Sequence, residues 1–169
     1  MSNTLARWNK LSAEDAVSEI LSCCGSGAWA RALVARRPLH DRDSLMMTSN
    51  EIWNNLAAQD WVEAFSKHPR IGERTAPQAA TAQSAAWSEQ EQRVSTTGAD
   101  VQSALEAANR EYELKFGRVF IVCATGKSAP EMLDILCRRL QNDSATELRE
   151  AAGEQQKITN IRLEKWLSQ

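Results

Sequence analysis

Three features of the sequence predict an all-α fold in one compact domain. Glycine and proline are sparse, at 7 and 4 of 169 residues, so few positions interrupt regular structure. Strict alternation of apolar and polar residues, which is typical of strands, is rare, whereas apolar residues recur at helical spacing. A chain of this length can bury about two thirds of its unfolded surface. We therefore expect residues 1–169 to form a single compact multi-helix domain.

Helix signals recur along the first 70 residues. Ser12–Asp15 resembles a capping box and precedes apolar residues on one helix face. Ser26–Gly27 opens a second helical segment, and a third apolar run extends from Leu45 to Leu56. A fourth helix is expected to end at or just before His68, because a proline disfavours helical geometry at the residue before it and Pro69 follows His68.

The second half of the chain continues the helical pattern. The composition of residues 72–86 indicates a surface loop in its first part, and a helix restarts within residues 79–95. A long helix is predicted from Asp100 until Gly117 breaks it. Its inward positions are expected to be Val101, Leu105, Ala108, Tyr112 and Leu114. Two further capping boxes, Ser128–Glu131 and Ser144–Glu147, start the last two predicted helices.

Val119–Ala124 is the one run whose composition favours a strand. A lone strand has no partner, so we expect a buried segment that is extended or a short helix. If this run is extended, its N–H and C=O groups need partners, and a flat ligand that carries amides would supply them. Core packing alone is the alternative interpretation.

Composition excludes several classes of protein. With 20 basic and 22 acidic side chains, the net charge of −2 lacks the basic excess of most proteins that bind nucleic acids or membrane surfaces, and we expect neither partner. The N-terminal residues contain no long apolar run, so we expect no signal peptide or membrane anchor. The four cysteines form no C-x-x-C pair, and we interpret them as reduced thiols of a cytoplasmic protein.

His68 is the first candidate for chemistry. It is one of two histidines in the chain, at a predicted helix end between apolar residues and an irregular turn. Because the unperturbed pKa of histidine lies near neutrality, an imidazole held there suits proton transfer. A histidine that caps the last helical carbonyls is the structural alternative.

Arg162 is the second candidate. It lies four residues after Ile158 and four before Trp166, so all three share one helix face. An arginine on an apolar face is costly unless it meets an anion or several acceptors. An internal ion pair or a side chain that extends to solvent would also explain it.

A polar cluster, Ser88–Gln92, is the third candidate. Ser88 and Glu91 are three residues apart and Gln92 is four from Ser88, so they share a helix side and could bind a polar heterocycle. An ordinary solvated helix start has the same composition. No metal site is expected, because His40 and His68 are the only imidazoles and no thiol spacing supports one. Phosphate-loop and serine-nucleophile motifs are also missing.

Taken in order, these segments resemble the 2-oxo-4-hydroxy-4-carboxy-5-ureidoimidazoline (OHCU) decarboxylase family, which catalyses the last step from urate to allantoin. The resemblance extends from the first helix almost to the last residue. The matching motifs are His68-Pro69-x-Ile71-Gly72, Ser88-x-x-Glu91-Gln92, Asn109-x-x-Tyr112-x-x-Lys115-Phe116-Gly117-x-x-Phe120 and Lys157-Ile158-Thr159-x-x-Arg162-Leu163.

The resemblance implies an all-helical homodimer that needs no cofactor or metal. It implies that His68 is the catalytic histidine, Glu91 the essential carboxylate and Arg162 the arginine of the pocket. The residues that it implies bind the substrate are Pro69, Ser88, Gln92, Phe120, Ile121, Val122, Cys123 and Ala124. Glu-Gln occurs twice in the cluster, at 89–90 and 91–92, and only Glu91 preserves the spacing from Ser88. The varying length of the loop after Gly72 leaves Arg74 and Thr75 unassigned.

Two other functions remain open from sequence. One is a helical adaptor that binds another protein through tryptophan-rich stripes, since the chain has six tryptophans that otherwise belong to a core or interface. The adaptor gives no reason for an arginine on the face of Ile158 and Trp166. The other is an acid/base hydrolase or isomerase that acts on a different ureide.

Overall fold

A computed structural model describes residues 3–71, 81–92 and 98–169, and their side chains except those of residues 91, 92 and 99. Within these residues all regular structure is α-helical, which confirms the predicted class. None of the described helices has both the length and the apolar character needed to cross a bilayer. The helices are α1 (Asn3–Trp8), α2 (Ala13–Ile20), α3 (Gly27–Ala35), α4 (Arg42–Asn54), α5 (Ala58–Phe65), α6 (Ala82–Gln92), α7 (Ala99–Phe116), α8 (Ala129–Arg139) and α9 (Ser144–Leu167).

The described residues fall into two compact units. Unit 1 takes those of Met1–Ala64 together with Gln156–Gln169, and unit 2 takes those of Phe65–Gln155. Helix α9 therefore supplies residues to both units. The expectation of one domain over residues 1–169 stays a prediction.

Three helix starts follow the capping signals of the sequence. The side chain of Ser12 accepts a hydrogen bond from the N–H of Asp15, and Ser26 accepts one from Trp29. At α8 the box is complete, because Ser128 accepts from the N–H of Glu131 while the Glu131 carboxylate accepts from the N–H of Ser128. These bonds satisfy N–H groups that a helix cannot pair internally.

The predicted box at Ser144–Glu147 is wrong. Asp143 caps α9 instead, since its Oδ1 accepts from the N–H groups of Ala145 at 2.9 Å and Thr146 at 2.8 Å. Glu147 is fully buried and pairs with an arginine of α8. A carboxylate committed to that interior pair cannot also reach back to the helix start.

Unit 1 has a core rich in tryptophan. Helix α3 packs against α2 and α4. The rings of Trp8 and Trp166 meet edge to face, with centroids 5.8 Å apart. Their indole N–H groups donate to the carbonyl of Ala16 at 3.0 Å and to the Glu19 carboxylate at 2.9 Å. The tryptophan stripes are therefore largely buried inside the protein and do not offer a surface for another protein. This removes the main argument for the adaptor hypothesis.

Unit 2 is built on α7, which packs against α8. The ring of Tyr112 packs on Phe116 and Phe120, with centroids 4.7 and 5.2 Å away. Gly117 ends α7 with φ of 68°, the left-handed region that its lack of a side chain permits. The inward placement predicted for Leu114 is wrong, since 88% of it is exposed. Two residues beyond Tyr112, Leu114 lies about 200° around the helix from the buried stripe.

Candidate active site

His68 lies in a short irregular segment rather than at the last turn of a helix. Helix α5 ends at Phe65, three residues earlier than the latest end predicted, and the backbone N–H of His68 donates to the Phe65 carbonyl at 3.1 Å. This i to i+3 bond tightens the chain into a turn before Pro69. His68 is only 9% exposed and Pro69 is also buried, so the imidazole belongs to the protein interior. Val62 of α5 is exposed.

Two side chains of α7 hold the segment that follows His68. Asn109 donates from Nδ2 to the carbonyl of Ile71 at 3.1 Å. Glu113 accepts from Arg70 in a two-pronged ion pair, at 2.5 Å to Nε and 2.8 Å to Nη2. Asn109 and Glu113 are four residues apart, hence on the same helix face. Sequence reasoning missed both anchors. The available signal was an asparagine within the apolar stripe of Leu105, Ala108 and Tyr112.

Helix α6 carries Ser88 on its buried side. Ser88 is 4% exposed, and Ser84 and Trp87 beside it are buried. Glu89 is exposed. Ser88 therefore does not belong to a solvated helix face. The side chains of Glu91 and Gln92 lie outside the described residues, as do Arg74 and Thr75.

Phe120–Ala124 is buried, as expected, and has neither the strand that its composition favours nor a short helix. Side chains rather than a neighbouring strand hold it. The carbonyl of Ile121 accepts from Arg139 Nη1 at 2.6 Å. Cys123 donates from its N–H to Glu154 at 2.8 Å and accepts at its carbonyl from Lys127 Nζ at 2.7 Å.

Some backbone groups of this segment have no partner among the described residues. In the part of the chain that the structure describes, no hydrogen bond reaches the N–H of Ile121 or either backbone group of Val122. Both residues are buried. Buried backbone groups without partners are rare in folded proteins, so the segment offers donors and an acceptor to a bound molecule.

A fully buried ion pair lies behind this segment. Arg139 donates from Nε to both carboxylate oxygens of Glu147, at 3.0 and 3.2 Å, and its guanidinium lies 4.7 Å from the ring centre of Phe120. The hydroxyl of Tyr112 also donates to Glu147, and burial, together with this carboxylate, raises the pKa of the phenol. Asn142 supplies another donor at 2.8 Å. The pair is well satisfied, which buried charges require.

Arg162 is only 2% exposed and shares the buried face of α9 with Ile158 and Trp166. A side chain extending to solvent is thereby ruled out, while an internal ion pair remains an alternative to an anionic ligand. Within unit 1 its charge acts on two buried thiols. Burial raises the pKa of Cys23 to about 12 and that of Cys24 to about 11, and the positive charge of Arg162 opposes both shifts. Both thiols are therefore protonated at neutral pH, so neither is a nucleophile.

The candidate residues are distributed over both units. His68, Pro69, Ser88 and the segment Phe120–Ala124 belong to unit 2, and Arg162 belongs to unit 1. Their convergence with Glu91 on one cavity stays a prediction. Among the described residues, no group of three or more His, Cys, Asp or Glu side chains is placed to hold a metal ion.

Comparison with known sequences gives a family and two relatives. The model of the family described as OHCU decarboxylase matches residues 9–164. The uric acid degradation bifunctional protein TTL of Arabidopsis thaliana is 38% identical over 148 residues, which are 86% of this chain and 45% of that protein. A uric acid degradation bifunctional protein of Bacillus sp. (strain TB-90) is 26% identical over 164 residues, 95% of this chain and 31% of that protein. The chain thus spans less than half the length of these relatives.

Solved structures agree. A crystal structure of OHCU decarboxylase in the presence of (S)-allantoin matches with a TM-score of 0.76 and 37% identity, over 89% of this chain and 98% of that one. A crystal structure of (S)-allantoin synthase has a TM-score of 0.71 at 16% identity, over 96% of this chain and 53% of that one, and shows likeness of fold alone. The resemblance seen in the sequence is confirmed: the chain belongs to the OHCU decarboxylase family, a family of decarboxylases.

Proposed function

We propose that this chain decarboxylates OHCU to (S)-allantoin in urate degradation, with His68 as the proton donor. One observation carries the proposal: over 89% of its length the chain shares its fold, at 37% sequence identity, with an OHCU decarboxylase solved in the presence of (S)-allantoin. The burial of His68, Ser88 and Arg162 supports it, because electrostatic interactions with a bound substrate are stronger at groups that are shielded from water.

The chemistry needs an electron sink, and the substrate ring provides one. When the bond from the tetrahedral ring carbon to the carboxylate breaks, its electron pair moves into the adjacent C=N system as CO2 leaves. The ring nitrogen that accepts the pair takes up one proton, and the resulting enol-like ring then takes a proton on carbon and loses one from the hydroxyl oxygen to give allantoin. Because the ring itself accepts the pair, the proposed reaction requires no metal or cofactor.

The protein must hold an anion, stabilise charge that develops on the ring and protonate one face. We assign His68 to a hydrogen bond with the substrate hydroxyl and then to proton delivery, which sets the (S) configuration. Arg162 would neutralise the substrate anion, and the N–H of Ile121 or Val122 would stabilise developing charge.

The remaining residues are assigned to orientation of the substrate. Glu91 would fix the ring or its ureido arm and tune His68, and the exposure of Glu89 favours Glu91 over it as the carboxylate of the pocket. Ser88, Gln92 and the carbonyl of Pro69 would complete the polar contacts that hold the ring in a reactive orientation.

The proposal also includes the assembly and location of the protein. We infer a cytoplasmic homodimer, from the family resemblance and from four cysteines that form no disulfide in the structure. The direct partner is the small ureidoimidazoline substrate, with neither nucleic acid nor membrane involved.

Stereospecific turnover tests the proposal. OHCU is unstable, so it is generated enzymatically from urate, and the circular dichroism of the allantoin is followed with and without the protein. We expect rapid formation of (S)-allantoin from the wild type, and no stereospecific rate above the uncatalysed background from His68→Asn. His40→Asn is the matched control, because His40 is the other histidine and is exposed. Wild-type turnover by His68→Asn would remove His68 from the mechanism, and no acceleration by the wild type would remove the proposed function.

A further inference from the structure

We propose that Asn109 is a positioning residue, which fixes the imidazole of His68 by anchoring the carbonyl of Ile71. The catalytic consequence rests on the proposed function of His68, whereas the anchoring itself does not.

The side chain of Asn109 makes a single hydrogen bond with the described residues. It is 2% exposed, its Nδ2 donates to Ile71, and its Oδ1 accepts no hydrogen bond from any of them. A buried amide that leaves its acceptor unused carries a desolvation cost. An apolar side chain at this point of α7 would avoid that cost, so the bond to Ile71 is the feature that an apolar residue could not replace.

That bond holds the far end of the irregular segment that carries His68. At the near end, the N–H of His68 is tied to the last residue of α5 at 3.1 Å. At the far end, Ile71 is buried and its carbonyl is tied to Asn109. Between them, the ion pair of Arg70 with Glu113 is partly exposed, so solvent weakens it. The segment that carries the imidazole is therefore held by two buried hydrogen bonds. Only the bond from Asn109 depends on a side chain and can be removed by mutation.

The test removes the donor while it keeps the shape of the side chain. Asn109→Asp is nearly isosteric, but its carboxylate cannot donate to the Ile71 carbonyl. We expect kcat to fall by about tenfold to a hundredfold with little change in KM, because displacing a catalytic group by an ångström costs about that much. The excess of (S)-allantoin, corrected for uncatalysed decay, should fall as well. Should the aspartate variant not fold, Asn109→Leu removes the same donor without burying a charge.

Leu136→Val is the control for simple destabilisation. It trims a fully buried side chain of unit 2 that has no hydrogen bond to residues 68–71. We expect it to lower the melting temperature while leaving kcat and the handedness of the product unchanged in the folded protein. A loss of stereospecificity in this variant equal to that of the Asn109 variants would overturn the positioning role.

A second readout needs no turnover. The chain has two histidines, so the imidazole NMR signals of His68 and His40 can be followed separately, with exposed His40 as the internal reference. We expect the Asn109 variants to shift or broaden the His68 signals and leave those of His40 in place. Unmoved His68 signals would contradict the proposal even if turnover falls. If the His68 signals move in the Asn109 variants but the wild type does not turn over OHCU, the anchoring role of Asn109 stands. Only the proposed function is then refuted.

Discussion

Arg139 and Arg162 carry the same signal in the sequence, an arginine on an apolar helix stripe, yet one has a structural role. Arg139 follows Met132 and Leu136 on the buried face of α8, and its charge is met by Glu147 and the carbonyl of Ile121. For Arg162 we propose an anionic substrate. The pattern thus predicts that a buried arginine needs an acceptor, but it cannot say whether that acceptor is protein or ligand.

At the residue scale, replacing Arg139 tests the buried pair. Arg139→Met should lower the free energy of unfolding by about 3–5 kcal/mol, because it leaves the carboxylate of Glu147 buried without its cation. Urea denaturation measures the loss. Arg138→Met is the matched control: the neighbouring arginine pairs with Glu150 in a partly exposed bridge, and its loss should cost less than about 1 kcal/mol.

The double variant Arg139→Met/Glu147→Leu distinguishes two contributions: the loss of the attraction between the two side chains, and the cost of leaving the carboxylate of Glu147 buried without its cation. We expect it to recover part of the stability, since no buried charge is left unpaired, although the hydroxyl of Tyr112 and the carbonyl of Ile121 lose their partners. Equal losses from the Arg138 and Arg139 variants would contradict the assignment of Arg139 to a buried and necessary pair.

At the scale of helices, hydrogen bonds between residues close in the sequence can be predicted. Contacts with other helices that compete for the same side chain cannot. The caps at Ser12, Ser26 and Ser128 are predictable because each bond joins residues three apart. The sequence assigns Glu147 to a cap because nothing local reveals its pairing with an arginine eight residues earlier. The predicted end of α5 is up to three residues late because proline excludes helix at His68 but does not say where the last turn closes.

The candidate site shows the same division. The burial of Phe120–Ala124 is predictable from its apolar composition, and its lack of strand structure from the lack of a partner strand. Its anchors, Arg139 and Glu154, escape prediction because they lie 18 and 31 residues away from the carbonyl and N–H that they bind. Asn109 is included in the family motif, but its bond to Ile71 joins residues that are 38 positions apart, and no local pattern predicts it.

Also at the scale of helices, alanine substitutions at two glycines are expected to change the free energy of unfolding in opposite directions. Gly117 has φ of 68°, so Gly117→Ala should lower the free energy of unfolding by about 1–2 kcal/mol. Gly153 lies inside α9, and a methyl group there meets no described atom within 4 Å. Gly153→Ala should therefore raise stability by about 0.5–1 kcal/mol. Denaturation of both variants checks the pair. Effects of the same sign would contradict either the end of α7 at Gly117 or the helical conformation of Gly153.

At the scale of the whole molecule, the proposed site depends on residues far apart in the chain. His68 and Glu91 come from the central part, and Arg162 comes from the last helix, in the other compact unit. Periodicity and capping treat each helix separately, so only the family resemblance predicts that these three side chains act together. The family match over residues 9–164 includes all of them.

A crystal structure with (S)-allantoin bound tests this convergence most directly. We predict one bound molecule within hydrogen-bond distance of the His68 imidazole, the Glu91 carboxylate and the Arg162 guanidinium, with the backbone of Ile121 or Val122 against its ring. A complex in which these three side chains face separate surfaces, or in which allantoin binds away from His68, would contradict the proposed site.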